Sequence, residues 1–355
     1  MQFISSKELD GLLNHFCDLH ILVVGDFFLD KYLIIDRSLR EWSLETGLEA
    51  HQIVEVRNSP GAAGSVTSNL RAMNIRVSAL GVIGDDGNGY ELKRSLLKSG
   101  VDISSLIDCF DCSTPTYTKP MILESDGNAR EIERQDIKNR EPFPSDVENR
   151  VIERLRLHAP KLDGVIVVDQ AGESDCGVIT DRVRSVIAEL AIKYPDLIIA
   201  VDSRSRIGQF DNVILKPNGR EVVLAFQSNL PEEITPDNIK PYGYALFEKT
   251  KRPVFITLGD AGILVFTKAG CEHVPAIAVE PPIDIVGAGD SCMSAIIASL
   301  CSGADPVRAA FVGALAASIT IQQIGTTGTA SIDQIKARFK LIDKNMQPST
   351  NNKRR

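Results

Sequence analysis

The sequence predicts an α/β fold in which helices cover both faces of a mostly parallel sheet. Short runs of β-branched residues alternate with amphipathic helical stretches along most of the 355 residues. A composition of 43% hydrophobic and 24% charged residues supports a large buried core. We therefore expect a three-layer α/β/α arrangement without internal repeats.

The predicted strands and helices follow one another in the expected alternation. The core strands are predicted at Ile21–Val24, Val77–Val82, Gly164–Val168, Leu197–Val201, Val213–Leu215, Val254–Leu258 and Ile263–Phe266. The helices are predicted at Ala63–Met73, Gly89–Ser99, Asp146–His158, Gly177–Lys193, Arg220–Phe226, Pro241–Thr250, Asp290–Cys301 and Pro306–Gln322.

Two segments interrupt this alternation, and both read as exposed antiparallel strands. They are Tyr32–Val56 and Thr116–Glu133, in which polar and apolar residues alternate. A small β-sheet that closes over a pocket as a lid would explain them, because closure excludes water from a transferable phosphate. Two surface hairpins without a lid role are the alternative. The expected organisation is one domain over residues 1–344 with these lid segments inserted, followed by a polar tail over 345–355.

Charge and hydropathy exclude several classes of protein. A net charge of −8 disfavours nucleic acid and anionic membranes as partners. No apolar run approaches the ~18 residues of a membrane span, and the charged first twenty residues are unlike a secretory signal, so we expect a cytoplasmic protein. Among seven cysteines, Cys109 and Cys112 form the one close pair, which we expect to be two free thiols in a loop before a strand.

Residues 283–293 carry the strongest chemical signal. Gly287, Ala288 and Gly289 precede an apolar helix, so their backbone N–H groups and the helix dipole can hold an anion. Asp290 is unsuited to holding phosphate but suits a base that accepts a proton from a hydroxyl attacking phosphate. The predicted reaction is phosphoryl transfer to an alcohol; a simple helix N-cap is the alternative for Asp290.

Candidate residues for the acceptor and for a nucleotide lie elsewhere along the chain. Asp26 and Asp30 can accept hydrogen bonds from vicinal sugar hydroxyls, although either can instead close the turn after the first strand. Asn218 and Glu221, spaced i and i+3 at a helix start, can orient hydrated magnesium on ATP; a first-turn acid favoured by the helix dipole is the alternative for Glu221. The Gly259–Gly262 turn and the apolar helix at 314–324 can supply a slot for the base.

Several motifs in order resemble those of the ribokinase-like (PfkB) carbohydrate kinases over roughly residues 19 to 335. Gly25–Asp30 is similar to Gly-Asp-x-x-x-Asp, and the stretches 60–66 and 81–89 are similar to the family's glycine signatures. In the second half, Asn218–Glu221 matches Asn-x-x-Glu and Thr257–Gly262 is similar to Thr-x-Gly-x-x-Gly. The segment Asp284–Asp290 is close to Asp-Thr-x-Gly-Ala-Gly-Asp.

This resemblance implies a ribokinase-like fold, ATP and Mg²⁺ as nucleotide and metal, and a homodimer that pairs through lid strands. It implies a sugar site built from Asp26, Asp30, Gly61, Ala62, Ser65, Lys119 and Asp169. It implies a nucleotide site at Asn218, Glu221, Thr257, Gly259, Asp260 and Gly262, with Glu221 reaching magnesium through water. Relatives often hold a monovalent cation beside the anion site, and here Asp284 and Gly325 of the loop 323–329 would hold K⁺; a loop residue that accepts from backbone amides is the alternative for Asp284.

Within the family, the sugar-side residues most resemble kinases of D-glycero-β-D-manno-heptose 7-phosphate. Ser65 stands where those enzymes carry Asn, and the stretches 169–173 and 202–204 lack their lysines, although Arg204 and Arg206 can replace that charge. The acceptor is therefore a heptose phosphate, another sugar phosphate or a free sugar. A non-catalytic sugar or nucleotide sensor remains the alternative, whereas a dinucleotide oxidoreductase is disfavoured because no Gly-x-Gly-x-x-Gly follows the first strand.

Overall fold

A nine-stranded sheet forms the centre of the molecule in a computed structural model, which describes residues 3–124, 129–227, 229–325 and 327–346. The strands of the chain are β1 (His20–Gly25), β2 (Phe27–Ile35), β3 (Glu41–Trp42), β4 (Glu49–Ala50), β5 (Ile53–Ala62), β6 (Arg76–Gly84), β7 (Asp102–Cys109), β8 (Thr116–Leu123), β9 (Ala129–Glu131), β10 (Gln135–Ile137), β11 (Gly164–Asp169), β12 (Ile198–Ser203), β13 (Ile214–Leu215), β14 (Val254–Thr257), β15 (Ile263–Thr267) and β16 (Gly270–Val274).

The large sheet has the order β16-β15-β14-β13-β12-β11-β1-β6-β7. Strands β7 to β14 in this order pair in parallel, and β15 at one edge pairs antiparallel with both β14 and β16. The chain moves outward from β1 to β7 and then restarts at β11 on the other side of β1. The carboxyl ends of β1 and β11 therefore flank a topological switch point, where open α/β sheets bind ligands.

Helices cover both faces of this sheet. They are α1 (Ser6–Asn14), α2 (Ala63–Ala72), α3 (Gly87–Lys98), α4 (Ser145–His158), α5 (Asp181–Lys193), α6 (Gly219–Leu224), α7 (Pro236–Thr250), α8 (Ala288–Cys301), α9 (Pro306–Thr320) and α10 (Ile332–Met346). Side chains of α2, α8 and α9 fill one buried apolar layer, and those of α4, α5 and α7 fill the other. The three-layer prediction is confirmed.

The second sheet projects from the first and has the strand order β10-β8-β2-β5, with β9 paired to β8. We call these five strands the lid. The lid extends further than the predicted segments, since β2 begins at Phe27 and β5 continues to Ala62. The expectation of purely antiparallel strands is wrong in one place, because β2 pairs with β8 in parallel. The predicted segment 116–133 includes residues 125–128, which lie outside the described residues.

Five strands and helices of the described residues were not predicted: β7, β10, β16, α1 and α10. Strand β7 carries several polar residues because it lies at the sheet edge, which hides its strand pattern. Helix α5 begins at Asp181 rather than Gly177, since Thr180 caps it, and α7 contains Pro241 in its interior instead of beginning there. Helix α10 continues through Met346, two residues into the predicted tail. Residues 347–355 lie outside the described part.

The cysteine pair also differs from expectation, because Cys109 and Cys112 form a disulfide. Cys109 lies at the end of a strand of the large sheet, not in a loop before one, and the turn that follows brings Cys112 back to it.

Among the helices of the described ranges, none has the length and apolar character needed to cross a membrane.

Candidate active site

The glycine-rich turn forms the N-terminus of α8, as the sequence indicated. Gly287 adopts a left-handed φ of 79°, and a Cβ there would lie 2.8 Å from Thr327 Cγ2, so glycine is required. The Ala288 N–H donates to the carbonyl of Ile285, which removes one of the three expected anion donors. Within the described residues, the amides of Gly287 and Gly289 have no protein acceptor and remain open to a ligand.

Asp290 follows in the first turn of α8, where its side chain still reaches solvent. Burial raises the pKa of Asp290 to about 7, and the nearby charge of Asp202 adds to the rise. Lys216 and a hydrogen bond from Ser65 oppose it. A carboxyl with a pKa near neutrality is suited to accept and release a proton at physiological pH.

Lys216 is the functional candidate that the sequence reasoning missed. It follows β13, is buried, and places Nζ 2.7 Å from Asp202 Oδ2. The same Nζ lies 3.8 Å from where a Cβ of Gly289 would be, so the ammonium group faces the start of α8. Burial is the largest influence on the pKa of Lys216 and lowers it, but the charges of Asp202, Glu221 and Cys292 together outweigh burial and leave that pKa raised. Its position two residues before Asn218 of the Asn-x-x-Glu motif was the available signal.

Asn218 and Glu221 cap α6 reciprocally. Glu221 N–H donates to Asn218 Oδ1 at 2.9 Å, and Asn218 N–H donates to Glu221 Oε2 at 2.8 Å. Burial raises the pKa of Glu221 to about 7, and Asp202 adds to that rise. Glu221 is thus an acid in the first turn of α6, as the alternative has it, while its second carboxylate oxygen remains available beside Asp202 and Lys216.

The predicted nucleotide loop lies next to this helix start. The Thr257 N–H donates to the carbonyl of Pro217 at 3.0 Å, which joins the loop to the residue before Asn218. Gly259 and Asp260 are exposed, and a Cβ on Gly259 would meet no atom within 4 Å. Gly262 has a φ of 90° and lies against the carbonyl of Val274, so it shapes the turn rather than opening it.

Asp284 meets the loop after α9, as the resemblance implied. Its carboxylate accepts from the Val286 N–H at 3.0 Å and from the Gly325 N–H at 3.3 Å. Its own N–H donates to the carbonyl of Ile321. Thr326 of this loop lies outside the described residues. The structure thus places Asp284 and Gly325 together at the base of the glycine-rich turn.

On the acceptor side, Asp30 and Lys119 form an ion pair across the lid, with Oδ1 and Nζ 3.1 Å apart. A Cβ on Gly61 would lie 2.6 Å from Asp30 Oδ2, so that position must be glycine. Ala62 has an unusual φ of 51° at the start of α2. Ser65, one turn later, is buried beside Asp290. These residues and Asp290 converge from the lid, α2 and α8.

Backbone groups hold the Asp26 carboxylate, which also lines the cavity described below, and its contact with sugar hydroxyls stays a prediction. It accepts from the N–H groups of Gln170 (2.7 Å), Ala171 (2.8 Å) and Val178 (2.8 Å), and it is 4% exposed. It ties the end of β1 to the loop after β11. The turn-closing alternative, weighed for both aspartates, applies to Asp26 in this arrangement.

Asp169 likewise faces inward. It is fully buried and forms a bidentate ion pair with Arg206, whose Nε lies 3.1 Å from Asp169 Oδ2 and whose Nη2 contacts Oδ1. Arg206 also donates to the carbonyl of Ala171 at 2.6 Å. The two side chains bind each other, and the contacts of Arg206 with phosphate and of Asp169 with sugar stay predictions.

A cavity of about 170 Å³ adjoins the lid beside these residues. Phe28 and Tyr117 line it from the lid, and Arg204 and Lys138 bring positive charge to it. Glu173 contributes the opposing charge and pairs with Arg140 at 3.8 Å. Arg204 is exposed and, unlike Arg206, has no carboxylate partner among the described residues.

Comparisons with known proteins agree with this fold. Residues 209–333, which include Lys216, Glu221 and Asp290, match the model described as "pfkB family carbohydrate kinase". The chain is 27% identical over 308 residues to the bifunctional protein HldE of Helicobacter hepaticus, covering 86% of this chain. It is 26% identical over 335 residues to that of Pelobacter propionicus, covering 93%. It spans 61% and 65% of the length of these relatives.

Solved structures of similar fold include phosphofructokinase-2 from Escherichia coli in complex with potassium, with a TM-score of 0.71 at 17% identity and coverage of 92% and 99% of the two chains. They also include Arabidopsis thaliana ribokinase complexed with ribose and ATP, with a TM-score of 0.63 at 19% identity and coverage of 91% and 98%. The chain therefore carries a pfkB family carbohydrate kinase domain on a ribokinase-like fold.

Proposed function

We propose that this protein transfers the terminal phosphoryl group of ATP to a hydroxyl of a sugar or sugar phosphate, with Asp290 as the general base. One observation carries the proposal: Asp290, with its pKa near 7, stands in the first turn of α8 between the Lys216 ammonium and the acceptor side at Ser65 and Asp30. The acceptor hydroxyl gives its proton to Asp290 as its oxygen forms the new bond to phosphorus, while the bond from that phosphorus to the bridging oxygen breaks and ADP leaves.

The other residues around this turn stabilise charge. The open amides of Gly287 and Gly289 point at the place where the transferring group would lie, and they act together with the α8 dipole. Lys216 supplies a full positive charge that needs no reorganisation, since Asp202 already fixes it. Such preorganised charge usually lowers the barrier to phosphoryl transfer more than any other catalytic effect.

The residues on the nucleotide side fit ATP with Mg²⁺. No group of three or more His, Cys, Asp or Glu side chains able to hold a metal exists in the described ranges, so magnesium would take its ligands chiefly from phosphates and water. When bound, magnesium neutralises charge on the phosphates. Glu221 and Asn218 would orient its water, and the open Gly259 turn would admit the base.

A monovalent cation also fits the residues at Asp284. A carboxylate and the carbonyls of a neighbouring loop are the oxygen donors that hard cations prefer. Asp284 is joined to Gly325 by a hydrogen bond, directly below the turn that holds Gly287. We therefore retain K⁺ at Asp284 as part of the proposal, in line with the potassium complex of the E. coli relative in fold.

The acceptor proposed from the site is a sugar phosphate. Arg204 and Lys138 bring two cations to the 170 Å³ cavity beyond Phe28, and a guanidinium suits phosphate well. Lys138 is held near Asp136 at 3.5 Å, whereas Arg204 is unpaired within the described ranges. Heptose 7-phosphate is one member of this class. A free sugar, as used by ribokinase and fructokinase types, is the alternative, which the acidic Glu173 in the same wall favours.

We further propose a homodimer formed through the lid, in a cytoplasmic protein whose kinase domain spans 1–344. Strand β5 is an edge strand of the lid, and its residues 53–57 are exposed, including Val54 and Val56. An exposed apolar edge strand is a ready partner for a second copy of itself.

The test is ADP release measured over a panel of sugars and sugar phosphates, with Asp290→Asn as the critical variant. We expect turnover to fall by about 10²–10⁴-fold at saturating substrates while ATP binding stays largely intact. Asp333→Asn is the matched control, because Asp333 is also a first-turn aspartate but lies on α10. Near-normal turnover of Asp290→Asn would refute the base assignment, and no transfer to any acceptor by the parent protein would favour a sensor.

A further inference from the structure

The Cys109–Cys112 disulfide lies outside the proposed chemistry but next to it. Cys109 ends β7 and is buried in the core layer that also contains Val82. Cys112 is partly exposed, and Phe110 between them is 87% exposed, so Cys112 is the more accessible cysteine of the pair. The disulfide closes a loop of four residues in a chain with a large core, where it can add little to global stability.

The turn that this disulfide closes leads directly into β8, one of the lid strands. Thr114 N–H donates to Asp86 Oδ2 at 2.8 Å, and Thr114 Oγ1 accepts from the Gly84 N–H at 3.0 Å. The Pro115 carbonyl then accepts from the Leu29 N–H at 2.8 Å, and Thr116 begins β8. Lys119 on β8 pairs with Asp30 at the acceptor site.

The same turn also holds one wall of the cavity. Ser113 and Asn139 exchange two hydrogen bonds of 3.0 Å each, Ser113 N–H to Asn139 Oδ1 and Asn139 Nδ2–H to the Ser113 carbonyl. Asn139, Pro115 and Tyr117 all line the 170 Å³ cavity. The link from Cys112 to both the cavity and Lys119 is therefore only a few residues long.

We propose that Cys109 and Cys112 are a reversible redox pair that tunes acceptor binding through this turn. The proposal rests on the acceptor site of the proposed function. A dithiol reductant attacks the accessible sulfur of Cys112, the Cys109 thiolate leaves, and the second reductant thiol resolves the mixed disulfide. Two electrons and two protons pass to the protein, which gains two thiols, and the reductant becomes a disulfide.

Reduction leaves the turn held only by the hydrogen bonds of Ser113 and Thr114, so Asn139 and the start of β8 lose their fixed position. In a reducing compartment, disulfides are usually transient and regulatory or catalytic rather than structural, which agrees with the proposed cytoplasmic location. The oxidised form has the preorganised acceptor site, and the reduced form binds the acceptor more weakly.

The full-length protein is equilibrated in mixtures of reduced and oxidised dithiothreitol. Alkylation and mass spectrometry then measure which fraction of the Cys109–Cys112 pair is oxidised. Between the oxidised and reduced forms, we expect the KM for the acceptor to rise roughly threefold or more, with little change in the KM for ATP. Amide hydrogen exchange in residues 113–123 should become faster in the reduced form, while α9 stays unchanged.

Variants separate this pair from the other cysteines. Cys109→Ser with Cys112→Ser should have the reduced-form KM and no response to dithiothreitol, whereas Cys17→Ser, at an exposed free thiol, should keep the full response. Equal KM and equal exchange in two forms shown by mass to differ at this pair would overturn the proposal while leaving the kinase intact. If no acceptor is found, the exchange measurement alone decides, since it does not need turnover.

Discussion

Lys216 forms a buried ion pair with Asp202, 2.7 Å between Nζ and Oδ2, and presents the same ammonium group to the first turn of α8. Lys216 directly follows β13, and Asp202 lies near the carboxyl end of the neighbouring strand β12. Asp202 also raises the pKa of both Asp290 and Glu221. This pair therefore connects the proposed base, the phosphoryl position and the start of α6.

Replacing Lys216 by Met should abolish most turnover and also destabilise the fold. Removal of one partner leaves Asp202 buried without its counter-charge, at a cost of about 3 to 5 kcal/mol in the free energy of unfolding. The double variant Lys216→Met with Asp202→Asn should recover most of that stability but not the activity. Denaturant unfolding and ADP release check the two effects, and recovery of activity in the double variant would contradict the role of Lys216.

Asp290→Asn should stabilise the ligand-free protein at alkaline pH. The folded state keeps the Asp290 proton up to about pH 7, whereas an unfolded chain releases it near 3.8. Below pH 4 both states hold the proton, and the Asp290 contribution to the free energy of unfolding is fully present. As the pH rises from 4 to 7, the folded state holds the proton while the unfolded chain releases it, and that contribution is lost. Because the side chain reaches solvent, we expect a gain of only about 1 to 2 kcal/mol for the variant at pH 8.

Chemical denaturation of both proteins at pH 4.5 and pH 8 measures this gain. Asp333→Asn, at an exposed position of α10, should show no such pH dependence. A gain that is larger at pH 4.5 than at pH 8 would have the wrong sign for a raised pKa.

Gly289→Ala should fold normally and yet lose activity. A Cβ at Gly289 meets only Lys216 Nζ, at 3.8 Å, but it points into the place proposed for the transferring group. We expect kcat/KM to fall by roughly tenfold or more with unfolding free energy unchanged within about 1 kcal/mol. Gly287→Ala is the comparison, since its φ of 79° and contact with Thr327 should make it destabilising. Steady-state kinetics and thermal unfolding distinguish the two glycines.

Arg206→Met should destabilise the protein by about 3 to 5 kcal/mol, because Asp169 is fully buried and would lose its bidentate partner. If Asp169 contacts no substrate, Asp169→Asn combined with Arg206→Met should recover stability with near-parental KM for the acceptor. A large KM increase in that stable double variant would instead return Asp169 to the acceptor site.

Arg204→Met should leave the free energy of unfolding unchanged and weaken the binding of phosphorylated acceptors only. A panel of KM values for sugars and sugar phosphates tests this.

Much of the fold was predictable because the spacing of apolar residues along the chain indicates which side chains are buried. The alternation of β-branched runs and amphipathic stretches gave seven of the nine strands of the large sheet, and the glycine-rich turn located Asp290 at the start of α8. Strand β7 was missed, since its edge position permits polar residues that weaken the pattern.

Partners between distant residues could not be predicted in the same way. Asp26, Asp169 and Arg206 all have residue types that suit a sugar phosphate, but only the register of β1, β11 and β12 determines that they bond to backbone amides and to one another. The disulfide was missed for a similar reason, since its formation depends on the turn after β7.

Only Asp26 separates β1 from β2, and three backbone amides fix its carboxylate. The connection from β1 to the lid strand β2 therefore contains no flexible linker, and the lid cannot rotate freely about it. Opening must come from bending along β2 itself, beyond the contact of Lys31 with Asn88 on α3. The lid strand β2 would thus be fixed near Asp30 and able to bend toward Ile35. The size of an incoming sugar would therefore be limited most strictly nearest the reacting hydroxyl.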